Sequence, residues 1–203
     1  APDEATAAQL ATRIQDSLKT LLPAQLSTPG SELAFAGTTK VTVAGDAYAL
    51  EIPALHAQTS DGSLEVGIIT GTLTPTDGPG YNFALTLPTP LAVLTKTTST
   101  TTLQVARQSL TGVWQPDLGF LPELHVALGD LAVTDKTNNR LATIGEARLD
   151  SNFGVNGTEQ MGGTATGSVA AITLFNDTNH EKFLTIDRLE MASRTSDVNA
   201  EAV

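Results

Sequence analysis

The sequence predicts a mainly β protein: a large curled antiparallel sheet or open barrel with one N-terminal amphipathic helix. Three observations carry that expectation. Segments in which apolar residues alternate with small or polar ones run from about Gly37 to Ser193, the period of a strand with one dry face. Clusters of Gly, Asp and Asn punctuate them, as chain reversals require. A helical stripe occurs only near the N-terminus.

In that stripe Leu10, Ile14, Leu18, Leu21 and Leu22 recur at helical spacing, Arg13, Gln15, Asp16 and Lys19 fill the other face, and Pro23 stops the run. One helix over residues 4 to 22 follows. Its apolar side needs a cover, and the nearest candidate is the dry face of the sheet; a lid over a cavity and a dimerisation face are the alternatives.

The β region is expected over residues 31 to 193, with roughly ten strands. Tyr48, Leu50 and Ile52 alternate with Ala49 and Glu51, and Asp61-Gly62 is a hairpin signal that pairs residues 47 to 59 with 63 to 74. The second of these runs changes parity. Leu64, Val66 and Ile68 share one side, Ile69 and Leu73 the other, with Gly67 and Gly71 at the ends of the switch, which points to a bulge or bend. Asp77-Gly78-Pro79-Gly80 reverses the chain before Tyr81, Phe83, Leu85 and Leu87. Leu124, Val126 and Leu128 give way to Leu131 and Val133 across Gly129-Asp130, a second parity change. Other runs cover 100 to 106, 109 to 114, 140 to 150, 164 to 175 and 182 to 191, joined by Asn138-Asn139, Asn156-Gly157 and Gly162-Gly163.

With 203 residues, one domain over 1 to 203 is expected, with a division near residues 96 to 100, in the Thr-rich stretch TKTTSTTT, as the alternative. No run of eighteen apolar residues predicts a transmembrane segment. A net charge of −11, from 22 acidic against 11 basic side chains, opposes nucleic acid as a partner, because no basic face exists to release counterions. The absence of cysteine excludes disulfides and thiolate zinc sites. The small, acidic start APDEATA reads as a mature end left by signal-peptide removal, so a periplasmic or secreted protein is expected.

No enzyme is expected. His56, His125 and His180 lie in separate segments with no nucleophile elbow and no HExxH pair. Glu51, Glu65, Glu123 and Glu146 sit on strands, where solvation of the outer face is their ordinary work. Asn176, Asp177, Asn179 and Glu181 are oxygen-rich, but their spacing is not that of a calcium loop; a hairpin turn accounts for them, and no metal or cofactor is assigned. Trp114, the single tryptophan in a chain with 4% aromatic residues, reads as a core or cavity-wall residue.

What the chain does have is aliphatic strand surface beyond what one helix covers. Leu50, Ile52, Leu64, Val66, Phe83, Leu85, Leu124 and Val126 are therefore the expected lining for a lipid or other apolar ligand. The phrases AYALEIPALHAQ, GSLEVGIITGTLTP, PELHVALGDLAVTD and KFLTIDRLEMAS, behind an N-terminal helix, resemble exported bacterial β-groove proteins of the AsmA-like and lipid-carrier type over residues 40 to 191. That resemblance implies acyl chains shielded on the concave face of a curled sheet in the bacterial envelope. The ending IDRLEMASRTSDVNAEAV, a strand passing into a polar segment, fits a piece of a longer protein. The competing expectation is a structural or interaction module that docks an envelope protein partner through its sheet edge or face.

Overall fold

The computed structural model of the chain describes residues 1–21, 32–118, 120–155, 160–176 and 178–199. Leu22, Pro23, Asn156-Gly157 and Asp177 lie outside the described residues, so the expectations placed on them are not followed further. Among the described residues there is one helix, α1 (Glu4–Leu21), and a single antiparallel sheet of thirteen strands, not closed into a barrel.

The strands are β1 (Glu32–Phe35), β2 (Lys40–Ala44), β3 (Ala47–Ile52), β4 (Leu55–Thr59), β5 (Gly62–Val66), β6 (Ile69–Pro75), β7 (Tyr81–Thr86), β8 (Ala92–Lys96), β9 (Thr100–Trp114), β10 (Glu123–Asp135), β11 (Arg140–Val155), β12 (Gln160–Phe175) and β13 (Lys182–Asn199). They make nine passes of a plain meander, because the first four passes are each broken in two. The expected hairpin is present in one register along its whole length: Thr59 faces Gly62, Leu55 faces Val66, Ile52 faces Ile69 and Tyr48 faces Leu73. At the Thr-rich stretch the sheet continues, since β9 pairs with β8 at one end and β7 at the other.

The breaks fall on one transverse line. Residues 36–39, Pro53-Ala54, Gly67-Ile68 and 87–91 interrupt the first four passes, and Pro53, Pro88 and Pro90 lack the N–H that a ladder needs. Gln108 of β9 replaces the missing rungs: its amide donates to the Leu87 carbonyl at 2.9 Å and its side-chain oxygen accepts from the Leu87 N–H at 2.6 Å. In the later passes the same line runs through Ala106, Asp130, Gly145, Ala171 and Asp187, which stand opposite one another between regular pairs. Asp130 and Ala171 have φ of 52° and 54°, the left-handed region that side-chain-bearing residues seldom visit. Arg107, the cross-strand partner of Gly129, reaches Asp130 at 2.7 Å, so residues 129 and 130 present to the same side, as two consecutive residues of a bulge do. The parity change read in the sequence is thereby absorbed. Leu124, Val126 and Leu128 stay on the same side as Leu131 and Val133.

Gly162-Gly163, expected as a turn, lies inside β12 opposite Gly154 and Phe153. Glycine is needed there for space: a Cβ on Gly163 would fall 2.1 Å from the Asn152 carbonyl oxygen and 2.6 Å from the Phe153 ring.

Helix α1 starts at an Asp3 cap. The Asp3 carboxylate accepts from the Thr6 N–H at 2.9 Å and the Thr6 hydroxyl at 2.8 Å, two bonds that also hold its pKa below the usual carboxylate range. The helix docks through Ala7 and Leu10 onto Val41, Tyr48, Leu50, Leu73 and Phe83. Ala7 is 1% exposed and Leu10 3%; the small Ala7 permits close approach of helix and sheet. Arg13 with Asp117, 2.6 Å apart, and Gln15 Oε1, accepting from the Thr39 N–H at 2.7 Å, fix its orientation.

Candidate functional site

Cross-strand neighbours share a face of the sheet, so reading along the registers gives the face composition directly. On one side of the transverse line a row runs Phe35, Leu55, Val66, Ala92, Leu103, Val133, Ala142, Leu174, Leu184. On the other side a row runs Val41, Leu50, Gly71, Leu85, Leu110, Val126, Leu149, Gly167, Met191. Both cross all nine passes, and every member is apolar or glycine. Gly71 and Gly167 are bare because their neighbours lie over them: a Cβ on Gly71 would meet Leu85 Cδ2 at 2.7 Å, and one on Gly167 would meet Met191 Cγ at 3.1 Å.

The helix covers only one end of this face. Beneath its second half is an open apolar cleft of about 160 Å³, walled by Ile14, Ser17 and Leu18 of α1 and by Leu50, Ile52, Leu73, Phe83, Leu85, Trp114 and Leu121. Trp114 is tilted against Tyr81 with ring centres 6.0 Å apart, and Tyr81 meets Tyr48 edge-on at 6.1 Å. Burial, with Tyr48 nearby as a lesser cause, pushes the Tyr81 phenol above its ordinary pKa.

Of the eight residues predicted from sequence, Leu50, Ile52, Phe83 and Leu85 line the cleft. Leu124 packs at the margin of the same core. Val126 lies further along the face, between Leu110 and Leu149, while Leu64 and Val66 lie across the transverse line, Leu64 between Ala57 and Leu94. They share a face but not a pocket. Ile14 and Leu18 were legible as a helical stripe, but not as cleft walls. Leu121 is in a loop with no period to betray it.

The opposite face is polar and carries pairs of acidic and basic side chains. Glu51 pairs with Lys40 at 3.0 Å, Glu65 with His56, and Glu146 with Arg148, so each strand glutamate read in the sequence has a basic partner. His125 lies between two carboxylates, with Nδ1 2.7 Å from Asp150 Oδ1 and Nε2 2.7 Å from Glu123 Oε1. Only the imidazolium donates from both nitrogens, so the Asp150 bond first and the Glu123 bond second raise the His125 pKa above its ordinary 6.5. The folded pKa exceeds the unfolded one. This contribution to stability is therefore fully present below pH 6.5 and is lost as pH rises through the folded value. His125→Gln is expected to lower the melting temperature of the parent in the acid range and to match it once the parent imidazole has deprotonated. A difference that persists unchanged at pH 9 by calorimetry, or an NMR titration of His125 below 6.5, would contradict this reading.

The oxygen-rich turn is tied to itself. Asn176 Oδ1 accepts from the N–H groups of Thr178 and Asn179, and Asn179 Nδ2 donates to Glu181 Oε2 at 3.1 Å. Asp135 does similar work between β10 and β11: its bonds from Asn139 first, then Thr137, hold its carboxyl far below the usual range. Among the described residues no three His, Asp or Glu converge as metal ligands, and no helix is long and apolar enough to cross a membrane. No protein-family model, curated protein or solved structure matches the chain, so the reading of this face rests on its own geometry.

Proposed function

We propose that the apolar face binds or carries a lipid or similar apolar ligand, with part of an acyl chain in the cleft beneath α1 and the remainder lying along the uncovered rows. The carrying observation is the pair of rows that cross all nine passes while the helix covers one end only. A cleft of 160 Å³ matches the space that holds a benzene-sized apolar molecule, about 150 Å³, so it accommodates a chain terminus rather than a whole lipid. Removing the remaining chain from water at about 25 cal/mol per Å² supplies the affinity. No charged group lines the cleft, so recognition is by shape and apolarity. Residence in the bacterial envelope belongs to the same proposal, as does kinship with the β-groove carriers.

The test is saturable binding of a fluorescent fatty-acid probe, with native mass spectrometry of the purified chain for co-purified lipid. Leu149→Glu, on the uncovered part of the face where the side chain is 36% exposed, should weaken probe binding about tenfold or more, because it places a charge against the acyl chain. Thr166→Glu, on the polar face, should leave it unchanged. No saturable binding by the parent, or full binding by Leu149→Glu, removes the proposal.

A further inference from the structure

The two edges of the sheet are built differently. One is formed by β1 and β2, of four and five residues, with an interruption between them; short, broken edges are how β proteins avoid unwanted pairing. The other is β13, an eighteen-residue strand without proline or glycine, bonded on one side only, to β12. Phe183 is 65% exposed, Leu189 54% and Met191 71%. A long regular edge with apolar side chains is the arrangement that pairing with another strand uses.

The charges on β13 indicate which strand. Lys182, Arg188 and Arg194 balance Asp187, Glu190 and Asp197, so this edge is neutral in a chain of net charge −11. Two copies meet here without net repulsion between the strands. The unpaired position at Asp187 and the register shift beyond Thr195 bound the regular part of the strand, which leaves 188 to 195 as a uniform segment. Paired antiparallel with itself about Ala192, that segment sets Glu190 opposite Arg194 of the second copy, and the symmetric contact repeats the pair. Leu189 then faces Thr195 and Met191 faces Ser193. Other centres do worse: Met191 opposes Arg188 to Arg194, Glu190 opposes itself, Leu189 brings each unpaired Asp187 into the ladder, and Ser193 forms no Glu190–Arg194 pair. Glu190 already holds Arg188 of its own strand at 3.0 Å, whereas Arg194 has no ion-pair partner among the described residues.

We infer that β13 pairs antiparallel with β13 of a second copy about a two-fold axis through Ala192. Such an axis stands perpendicular to the sheet, so the polar and apolar faces of the two copies stay on common sides and the apolar rows continue from one copy to the other. The inference is independent of ligand binding; either can fail without the other.

Sedimentation velocity across a concentration series tests it, at about 0.15 M salt so that general repulsion between acidic copies is screened. The parent should dimerise. Arg194→Glu should weaken the dimer about tenfold, since two attractive cross-strand pairs become repulsive. The double variant Glu190→Arg/Arg194→Glu restores the opposition of charges and should recover most of the loss. Both residues are exposed, so circular dichroism should show unchanged folding in each variant. A parent that sediments as a monomer throughout, a dimer indifferent to Arg194→Glu, or a loss that the double variant leaves in place overturns the inference.

Discussion

Leu10→Asp should lower stability by about 4 kcal/mol or more, combining the loss of a buried leucine, about 2–5 kcal/mol, with the burial of an unpaired polar group. Against a total of about 5–15 kcal/mol that is a large share. The cost is concentrated at Leu10 because its side chain is 3% exposed and reaches the Val41, Tyr48, Leu50 and Leu73 cluster. Ile14 and Leu18, half-buried at the cleft, can turn an introduced carboxylate toward water, so Ile14→Asp and Leu18→Asp should cost clearly less. Trp114 fluorescence provides a second readout, since the indole lines the cleft beneath the helix and undocking would wet it. Urea unfolding of the three variants checks the ranking. If Leu10→Asp melts like the parent, or Leu18→Asp costs as much as Leu10→Asp, the helix is not anchored by its first half.

The ordering of those costs shows what sequence periodicity can and cannot say. Leu10, Ile14 and Leu18 are equivalent members of one stripe, and nothing in the spacing separates the anchored first half from the half that overhangs a cleft. Ala7 is 1% exposed, yet as a small residue it adds little to a hydrophobic pattern. On the sheet, Asp61-Gly62 and the alternation around it were enough to give the hairpin and its register, because turn chemistry and side-chain period agree there. The parity change at Gly129-Asp130 was equally visible. That the same change recurs along one line through the meander was not, because it is a property of the registers between strands rather than of any one strand. Gly162-Gly163 misled for a physical reason: glycine at a reversal and glycine under a crowded neighbour look the same in one chain. The candidate face divides in the same way. Leu50 and Leu85 could be named from alternation, but Leu73 and Leu121 join them at the cleft through a strand that changes parity at Gly67-Ile68 and an aperiodic loop.

Gly112→Val should be strongly destabilising, while Gly154→Ala should be neutral or mildly stabilising. Gly112 lies where β7, β9 and β10 meet, opposite Phe83 and Leu124. A Cβ there would fall 2.2 Å from the Glu123 carbonyl oxygen and 2.6 Å from Phe83 Cζ. The first obstacle is backbone and cannot rotate away; the second is a ring in the core cluster that is 8% exposed. Relief requires β9 and β10 to separate or Phe83 to leave its site, so the cost should reach or exceed the upper end of the usual overpacking range, about 3 kcal/mol. It should also reshape the cleft that Phe83 lines, lowering probe affinity in whatever fraction remains folded. At Gly154 a Cβ meets nothing within 4 Å, and alanine removes backbone freedom from the unfolded chain, worth about 0.4–1 kcal/mol where the conformation is compatible. Both residues are strand glycines whose sequence context gives no hint of the difference. Denaturant midpoints for the two variants decide it: equal values would mean that the close approach at Gly112 is not a feature of the folded protein, and with it would go the packing of Phe83 beneath the helix.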